Sequence, residues 1–362
     1  MAAPQTSVWP VENIGEHSAC AAAELSGWYA VADTGTDSIE IRDVRGVLIR
    51  QIGRAELSTL ITWMTLDTSA DGPSALTWTD SGRSLFISVH DNEPGSGGLG
   101  SDAIVRYDTV NDVLTLFARA EISDEVSVSP HPALAHFRGR LYVGTEFGTL
   151  QIHRAERNDT SSLFPTTVSM NGPVRGLAID RGLNLIYAAT DTALRRASLA
   201  IDPPVFAEVG PLDGARAITH SDHFGGATTW GLFVLDRAGT RVLRVPNLQA
   251  IGLQTFDPET YLSPADEWHD LDATACGRLL ATGDAGAAMI ADDTDTRLLF
   301  EAWVADEFAQ VVAFCKSLIS PDGEPAGWVI DGDVSPGGTR FHPATPDGAA
   351  WVVMALLMND HL

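Results

Sequence analysis

The chain has 362 residues, and 44% of them are hydrophobic, enough to bury a sizeable core and to exclude disorder as the main state. Its 48 acidic against 23 basic residues leave a formal charge of −25, which excludes nucleic acid and anionic membrane as main partners because their phosphates would be repelled. Of the basic residues only Lys316 is a lysine, and so acidic and Lys-poor a surface suits a saline or extracytoplasmic setting.

The three cysteines, Cys20, Cys276 and Cys315, show no CxxC spacing, so neither a disulfide framework nor a structural zinc site is supported, though one disulfide among them stays open. No apolar run reaches the ~18 residues of a transmembrane helix, so no membrane span is expected. The opening Met-Ala-Ala-Pro-Gln lacks a basic and then apolar leader pattern. A cytoplasmic protein is therefore expected, unless a leader has been removed.

Short β-rich runs recur along the chain. They are Trp28-Tyr29-Ala30-Val31, Leu85-Phe86-Ile87-Ser88, Leu141-Tyr142-Val143-Gly144 and Leu185-Ile186-Tyr187-Ala188, followed by Gly231-Leu232-Phe233-Val234, Leu279-Leu280-Ala281-Thr282 and Gly327-Trp328-Val329-Ile330. Anchored on Tyr29, Phe86, Tyr142, Tyr187, Phe233, Leu280 and Trp328, the spacings are 57, 56, 45, 46, 47 and 48. A near-constant period of this size marks a repeat array.

Each period reads as four short strands. The first holds 18–24, 28–32, 38–43 and 47–52; the second 75–78, 85–89, 103–107 and 113–117; the fourth 175–179, 185–189, 194–199 and 205–209. Turn residues such as Asp80-Ser81-Gly82, Arg138-Gly139 and Arg181-Gly182 separate them. Four-stranded units of ~40–50 residues predict the blades of a β-propeller, an all-β fold whose closed ring hides its sheet edges. Seven periods predict seven antiparallel blades in one domain, 1–362, at about 12–55, 73–119, 129–169, 172–209, 213–256, 266–301 and 306–358.

Six blades plus an appendage is the runner-up, because Trp303–Ile319 carries apolar residues at helical as well as strand spacing. A two-domain β-sandwich with chance spacing is the third reading. The apolar run Trp351–Met358 reads as the outer strand of blade seven, sharing its edge with Ser7–Val11. Glu56–Gly72 reads as an extra strand or a short helix, and Asn92–Ser101, with Pro94 and four glycines, as a mobile loop.

In a propeller the loops leading into each first strand and those leaving each second strand share one mouth of the channel, here termed the top. Second strands end in Asp33, Asp91, Glu146, Asp191, Asp236, Asp284 and the pair Asp331 and Asp333. Such a rim makes a negative mouth whose carboxylates could hold Ca²⁺ or Mg²⁺, with Asp33, Asp91, Glu146, Asp191 and Asp284 as candidate ligands; no cofactor is certain. Asp at a turn also closes the turn by accepting backbone N–H groups, whatever the protein does.

The loops leading into first strands bring His17, His131 and His269 to the same mouth. They are candidates for metal ligation or general-base catalysis. His90, Asn171, Arg175, Arg216 and Glu307 complete a candidate ligand-binding rim. Within blades, His17 and Asp33, His131 and Glu146, and His269 and Asp284 stand 16, 15 and 15 residues apart.

These pairs give the chain its resemblance to the seven-bladed propellers of the WD40/YVTN-like superfamily, although no blade carries the Gly-His and Trp-Asp dipeptides. In WD40 blades a His of the leading loop hydrogen-bonds an Asp after the second strand, so the resemblance implies that the three pairs brace their blades. The stretch Gly172–Asp191 also resembles one blade of propeller lactonases and calcium-dependent propeller phytases. No Gly-x-Ser-x-Gly elbow, P-loop or dinucleotide fingerprint is present. The leading expectation is a non-catalytic recognition or scaffold module that takes a protein partner or small-molecule ligand at the top face. The alternative is a metal-dependent hydrolase or lyase using the His and carboxylate groups of the same mouth.

Overall fold

A computed structural model of the chain describes residues 5–291, apart from 10–18, 24–27, 34–35, 44–45, 64–65, 67–71, 91–101, 121, 123–132, 156–164, 222–230, 246–258, 263, 265–266, 274–278 and 285. All of the described residues belong to the unit Met1–Thr294.

The chain begins with strand β1 (Gln5–Trp9). Blade one follows as β2 (Ala19–Ala22), β3 (Tyr29–Asp33), β4 (Ser38–Arg42) and β5 (Leu48–Ile52). Helix α1 (Arg54–Leu60) buries Leu57 and leads to blade two, β6 (Gly72–Trp78), β7 (Ser84–His90), β8 (Asp102–Asp108) and β9 (Val113–Ala120). Blade three is β10 (Ala133–Phe137), β11 (Arg140–Gly144), β12 (Thr149–Arg154) and β13 (Thr166–Ser169). Blade four is β14 (Val174–Asp180), β15 (Leu185–Thr190), β16 (Ala193–Ser198) and β17 (Ala207–Pro211). Blade five is β18 (Ala217–Ser221), β19 (Gly231–Leu235), β20 (Val242–Val245) and β21 (Glu259–Leu262). Blade six has β22 (Trp268–Ala273), β23 (Leu279–Gly283) and β24 (Gly286–Ala291), and β1 supplies its fourth strand.

All strand pairs are antiparallel. The fold is therefore an all-β propeller of four-stranded blades, and the ring holds six. Inner strand packs beside inner strand from β2 through β6, β10, β14 and β18 to β22, and β22 returns to β2. This corrects the seven-bladed expectation in favour of the six-bladed one. The physical reason is that blades one and six are already neighbours, which leaves no place between them for another. β1 pairs with β24 from Gln5↔Ala291 to Trp9↔Ala287, so the N-terminal strand closes the ring on blade six and not on a seventh blade. The segment 306–358 and Glu307 lie outside the described residues.

Burial follows radial position. The second strands β7 and β19 are buried at every residue, because each is flanked by a strand on both edges and a blade on both faces. The outermost strand β5 leaves Leu48 and Ile49 exposed. The anchor residues Tyr29, Phe86, Tyr142, Tyr187, Phe233 and Leu280 are all buried between blades. Towards the axis the blades converge, so inner strands carry small residues: Ala19, Ala21, Ala133, Ala135, Gly176, Ala178 and Ala217. Gly176 shows the constraint, since a Cβ there would lie 2.8 Å from the Ile218 main-chain nitrogen.

The β10–β11 hairpin turns on Arg138 (φ 47°) and Gly139 (φ 73°), a two-residue turn of the kind that matches strand twist. Among the described residues no helix is long and apolar enough to cross a membrane.

Candidate functional site

At the top mouth the charged residues are tied together across blades. Arg175, near the start of β14, places Nη1 2.6 Å from Glu146 Oε1, just after β11, and Nε 3.0 Å from Asp191 Oδ1, just after β15. Burial opposes the charge on this guanidinium, but hydrogen bonds to Asp191 and Glu146 outweigh it and raise its pKa. One cation thus holds the second-strand ends of blades three and four.

Arg216, just before β18, donates to the Trp268 carbonyl at 2.7 Å and pairs with Glu267 at 2.6 Å, joining blade five to blade six. The turn after β19 is closed by Asp236, which accepts the N–H groups of Thr240 (2.8 Å) and Arg241 (3.0 Å). Burial opposes ionisation there, yet the bonds from Arg241 and Thr240 hold its carboxyl below the usual range.

His269 Nε2 lies 3.0 Å from Asp284 Oδ1, with the imidazole buried and the carboxylate 59% exposed. Asn171 is exposed in the turn before β14 with φ 54°. His90, expected on the rim, is instead buried: its Nδ1 is 2.7 Å from Asp102 Oδ1, and each side chain is 1% exposed. Asp102 Oδ2 also accepts the Ile122 N–H at 2.8 Å. Blade two uses this imidazole to link β7 to β8 from within. Asp33 ends β3. His17, Asp91 and His131 lie outside the described residues. Among the described residues, no three His, Cys, Asp or Glu side chains converge so as to hold a metal ion.

The channel wall holds two carboxylates that the sequence reading passed over. Asp270 and Asp272 stand two apart on β22 and serve the facing edge of β2. Asp270 Oδ2 accepts the Cys20 N–H at 2.9 Å, and Asp272 Oδ2 accepts the Ala22 N–H at 2.8 Å. Thr219 Oγ1 of blade five donates to Asp272 Oδ1 at 2.9 Å and accepts the Ala273 N–H at 2.9 Å. An innermost strand has no partner on its axial edge, so its N–H groups need such acceptors.

Burial, with the neighbouring Asp272 charge, pushes the Asp270 carboxyl up to about 7 against the pull of the Cys20 and Leu271 N–H groups. Burial likewise pushes the Cys20 thiol well up, and its Sγ faces the Leu280 carbonyl at 3.6 Å. Cys20 is therefore a packed thiol and not a nucleophile at neutral pH.

At the opposite end of the channel a second device recurs. Trp78, His136 and His220 occupy equivalent places on inner strands, each opposite a second-strand leucine: Leu85, Leu141 and Leu232. Each reaches back to the preceding blade. Trp78 Nε1 donates to the Ala21 carbonyl at 3.2 Å. His136 stacks on Phe86 (6.0 Å between centroids, 15°) with Nδ1 3.2 Å from Asp80 Oδ1. His220 stacks on Tyr187 (6.1 Å, 11°) with Nε2 3.6 Å from Asp180 Oδ2.

Asp80 also accepts the Arg138 N–H at 2.6 Å and a short bond from Arg181. Burial works against its ionisation, but these donors and His136 hold its carboxyl down at about 2. The sequence did carry a signal for this device, the recurring Ala75-Leu-Thr-Trp78, Ala133-Leu-Ala-His136 and Ala217-Ile-Thr-His220.

No family model matches the sequence, and no curated protein matches it. Solved structures do. A chain in the crystal structure of a mitotic checkpoint complex is 11% identical, with a TM-score of 0.50 over 80% of this chain and 91% of that one. A glucose dehydrogenase is 12% identical, with a TM-score of 0.55 over 80% of this chain and 100% of that one. A second structure of glucose dehydrogenase is 13% identical, with a TM-score of 0.55 over 80% and 99%. At these identities the likeness is one of fold.

Proposed function

We propose that the protein is a recognition or scaffold module that takes a protein partner or a small-molecule ligand at the top mouth of its channel. One observation carries this reading: Arg175 holds Glu146 and Asp191 on two blades, which fixes the turns after β11 and β15. Rigid loops on a closed ring bind without first paying to order themselves. The fold is also found in a chain of a mitotic checkpoint complex, a setting of protein assembly.

The test is affinity capture with the purified protein, comparing wild type with Arg175→Ala, which removes the cation that Glu146 and Asp191 share. A stoichiometric partner that is retained by wild type and lost on Arg175→Ala is expected. Turnover of substrates by the isolated protein would overturn the reading.

A second reading is a metal-dependent hydrolase or lyase with His17, His131 and His269 as catalytic residues and rim carboxylates holding Ca²⁺ or Mg²⁺. It is favoured by the His269–Asp284 contact at the same mouth and by glucose dehydrogenases of this fold, which show that a propeller can carry catalysis. Elemental analysis, with thermal melts in the presence and absence of chelator, separates the two. Bound metal and a chelator-induced drop in melting temperature belong to the enzyme.

A further inference from the structure

On the face opposite the top mouth, between blades two and three, lies a cavity of about 580 Å³, a volume within the range of small-molecule sites. Three guanidinium groups line it: Arg83 from the β6–β7 turn, Arg106 from β8 and Arg138 from the β10–β11 turn. Thr79, Ser81 and Ser84 line it as well. Clustering of this kind is unexpected in a chain with 23 basic residues and a net charge of −25.

Two carboxylates share the wall, and both are engaged. Asp80 is bonded by His136, by the Arg138 N–H and by Arg181. Asp108 accepts the Val110 N–H at 2.9 Å and Asn111 Nδ2 at 3.0 Å. Four guanidinium groups, counting Arg181, against two carboxylates leave a surplus of two positive charges.

The cations are also held in position. Arg106 Nε donates to Ser84 Oγ at 3.0 Å, with the guanidinium 5.9 Å from the Phe86 ring centroid. Arg138 lies 4.8 Å over the Phe137 ring. Arg83 and Arg138 meet no carboxylate among the described residues, so their planar N–H forks remain open to a ligand. Such forks suit the paired oxygens of phosphate and carboxylate, and hydroxyls complete the set of donors.

We propose that this cavity binds a small, multiply charged oxyanion, a phosphate ester or a polycarboxylate. The site is independent of the top mouth, since it stands at the other end of the inner strands.

Titration calorimetry at low ionic strength, with inorganic pyrophosphate in one arm and citrate in the other, tests this. Saturable one-to-one binding in the pyrophosphate arm assigns a phosphorylated ligand, and in the citrate arm a polycarboxylate. Arg83→Gln and Arg138→Gln should each weaken it at least about tenfold, with thermal melts unchanged, because both side chains are exposed. Arg237→Gln, an exposed arginine of blade five at the other face, should leave binding as it was. No saturable binding of either probe up to millimolar concentration would overturn the proposal. So would binding that Arg237→Gln reduces as much as the two pocket variants do.

Discussion

The seam between blades two and three and the seam between blades six and one are built from different chemistry. The first is aromatic: His136 lies flat on Phe86 and its nitrogen meets Asp80. The seam between blades four and five repeats it with His220, Tyr187 and Asp180. The closing seam has small residues on one side, Cys20 and Ala22, and carboxylates on the other, Asp270 and Asp272, joined by hydrogen bonds to main-chain amides 250 residues away. Stacked rings gain from apolar area and tolerate small shifts of one blade against the next. Carboxylate-to-amide bonds are directional and fix register. The closing seam thus relies on a pair of carboxylate-to-amide bonds along β2, while the seam between blades two and three adds one such bond, from the Arg138 N–H to Asp80, to its stacked rings.

The contrast can be broken from either side. Phe86→Ala removes the ring that carries His136 and should cost about 3–5 kcal/mol in chemical denaturation, as for other buried aromatics. On the closing seam, Asp272→Ala leaves the Ala22 N–H without its acceptor and should cost about 2–3 kcal/mol.

Asp270 makes the same seam sensitive to pH. Its folded pKa, raised to about 7, lies above the ordinary carboxylate value, so the native state binds the extra proton between about pH 4 and 7. Stability contributed by this group is therefore greatest at low pH and declines as pH rises through that window. Asp270→Asn, which stays neutral throughout, should gain on wild type by about 4 kcal/mol from pH 4 to pH 8, read as the difference between their melting curves. Asp80 acts in the opposite sense and in a separate window: its depressed pKa gives stability that is lost only below about pH 4.

The smallest effect concerns the top mouth. With its imidazole buried against Asp284, His269→Ala should cost about 1–2 kcal/mol if the pair only braces blade six. A melt that barely moves alongside a large loss of partner capture would place His269 in binding instead.

The strand grammar was legible because each blade repeats the same alternation of buried residues and turns; the expected 38–43 and 85–89 appear as Ser38–Arg42 and Ser84–His90. Blade number was less legible. Gly327-Trp328-Val329-Ile330 fits the sequence pattern as well as β3, β7 or β19 does, and the neighbouring of β22 with β2 decides the number of blades in the ring.

At the site, the contact between His269 and Asp284 could be read from a separation of 15, since both belong to one blade. The contacts of His136 with Asp80 and of His220 with Asp180 cross a blade boundary at separations of 56 and 40, where no within-blade rule applies. His90 was misplaced because its position at the end of β7 suggests exposure, while the carboxylate that buries with it, Asp102, stands across the next strand. Asp270 and Asp272 gave no motif at all, because their partners are backbone amides.

The strand that closes the ring, Gln5–Trp9, is made long before the strand it pairs with. Until Gly286–Ala291 exists, Gln5–Trp9 has nothing to pair with, and until the two meet, β24 shows a bare hydrogen-bonding edge. On the ribosome the blades must therefore remain an open arc at least until Ala291 has been made, exposed to pairing with other chains, and a bulky group fused just ahead of Gln5 would prolong that vulnerable interval.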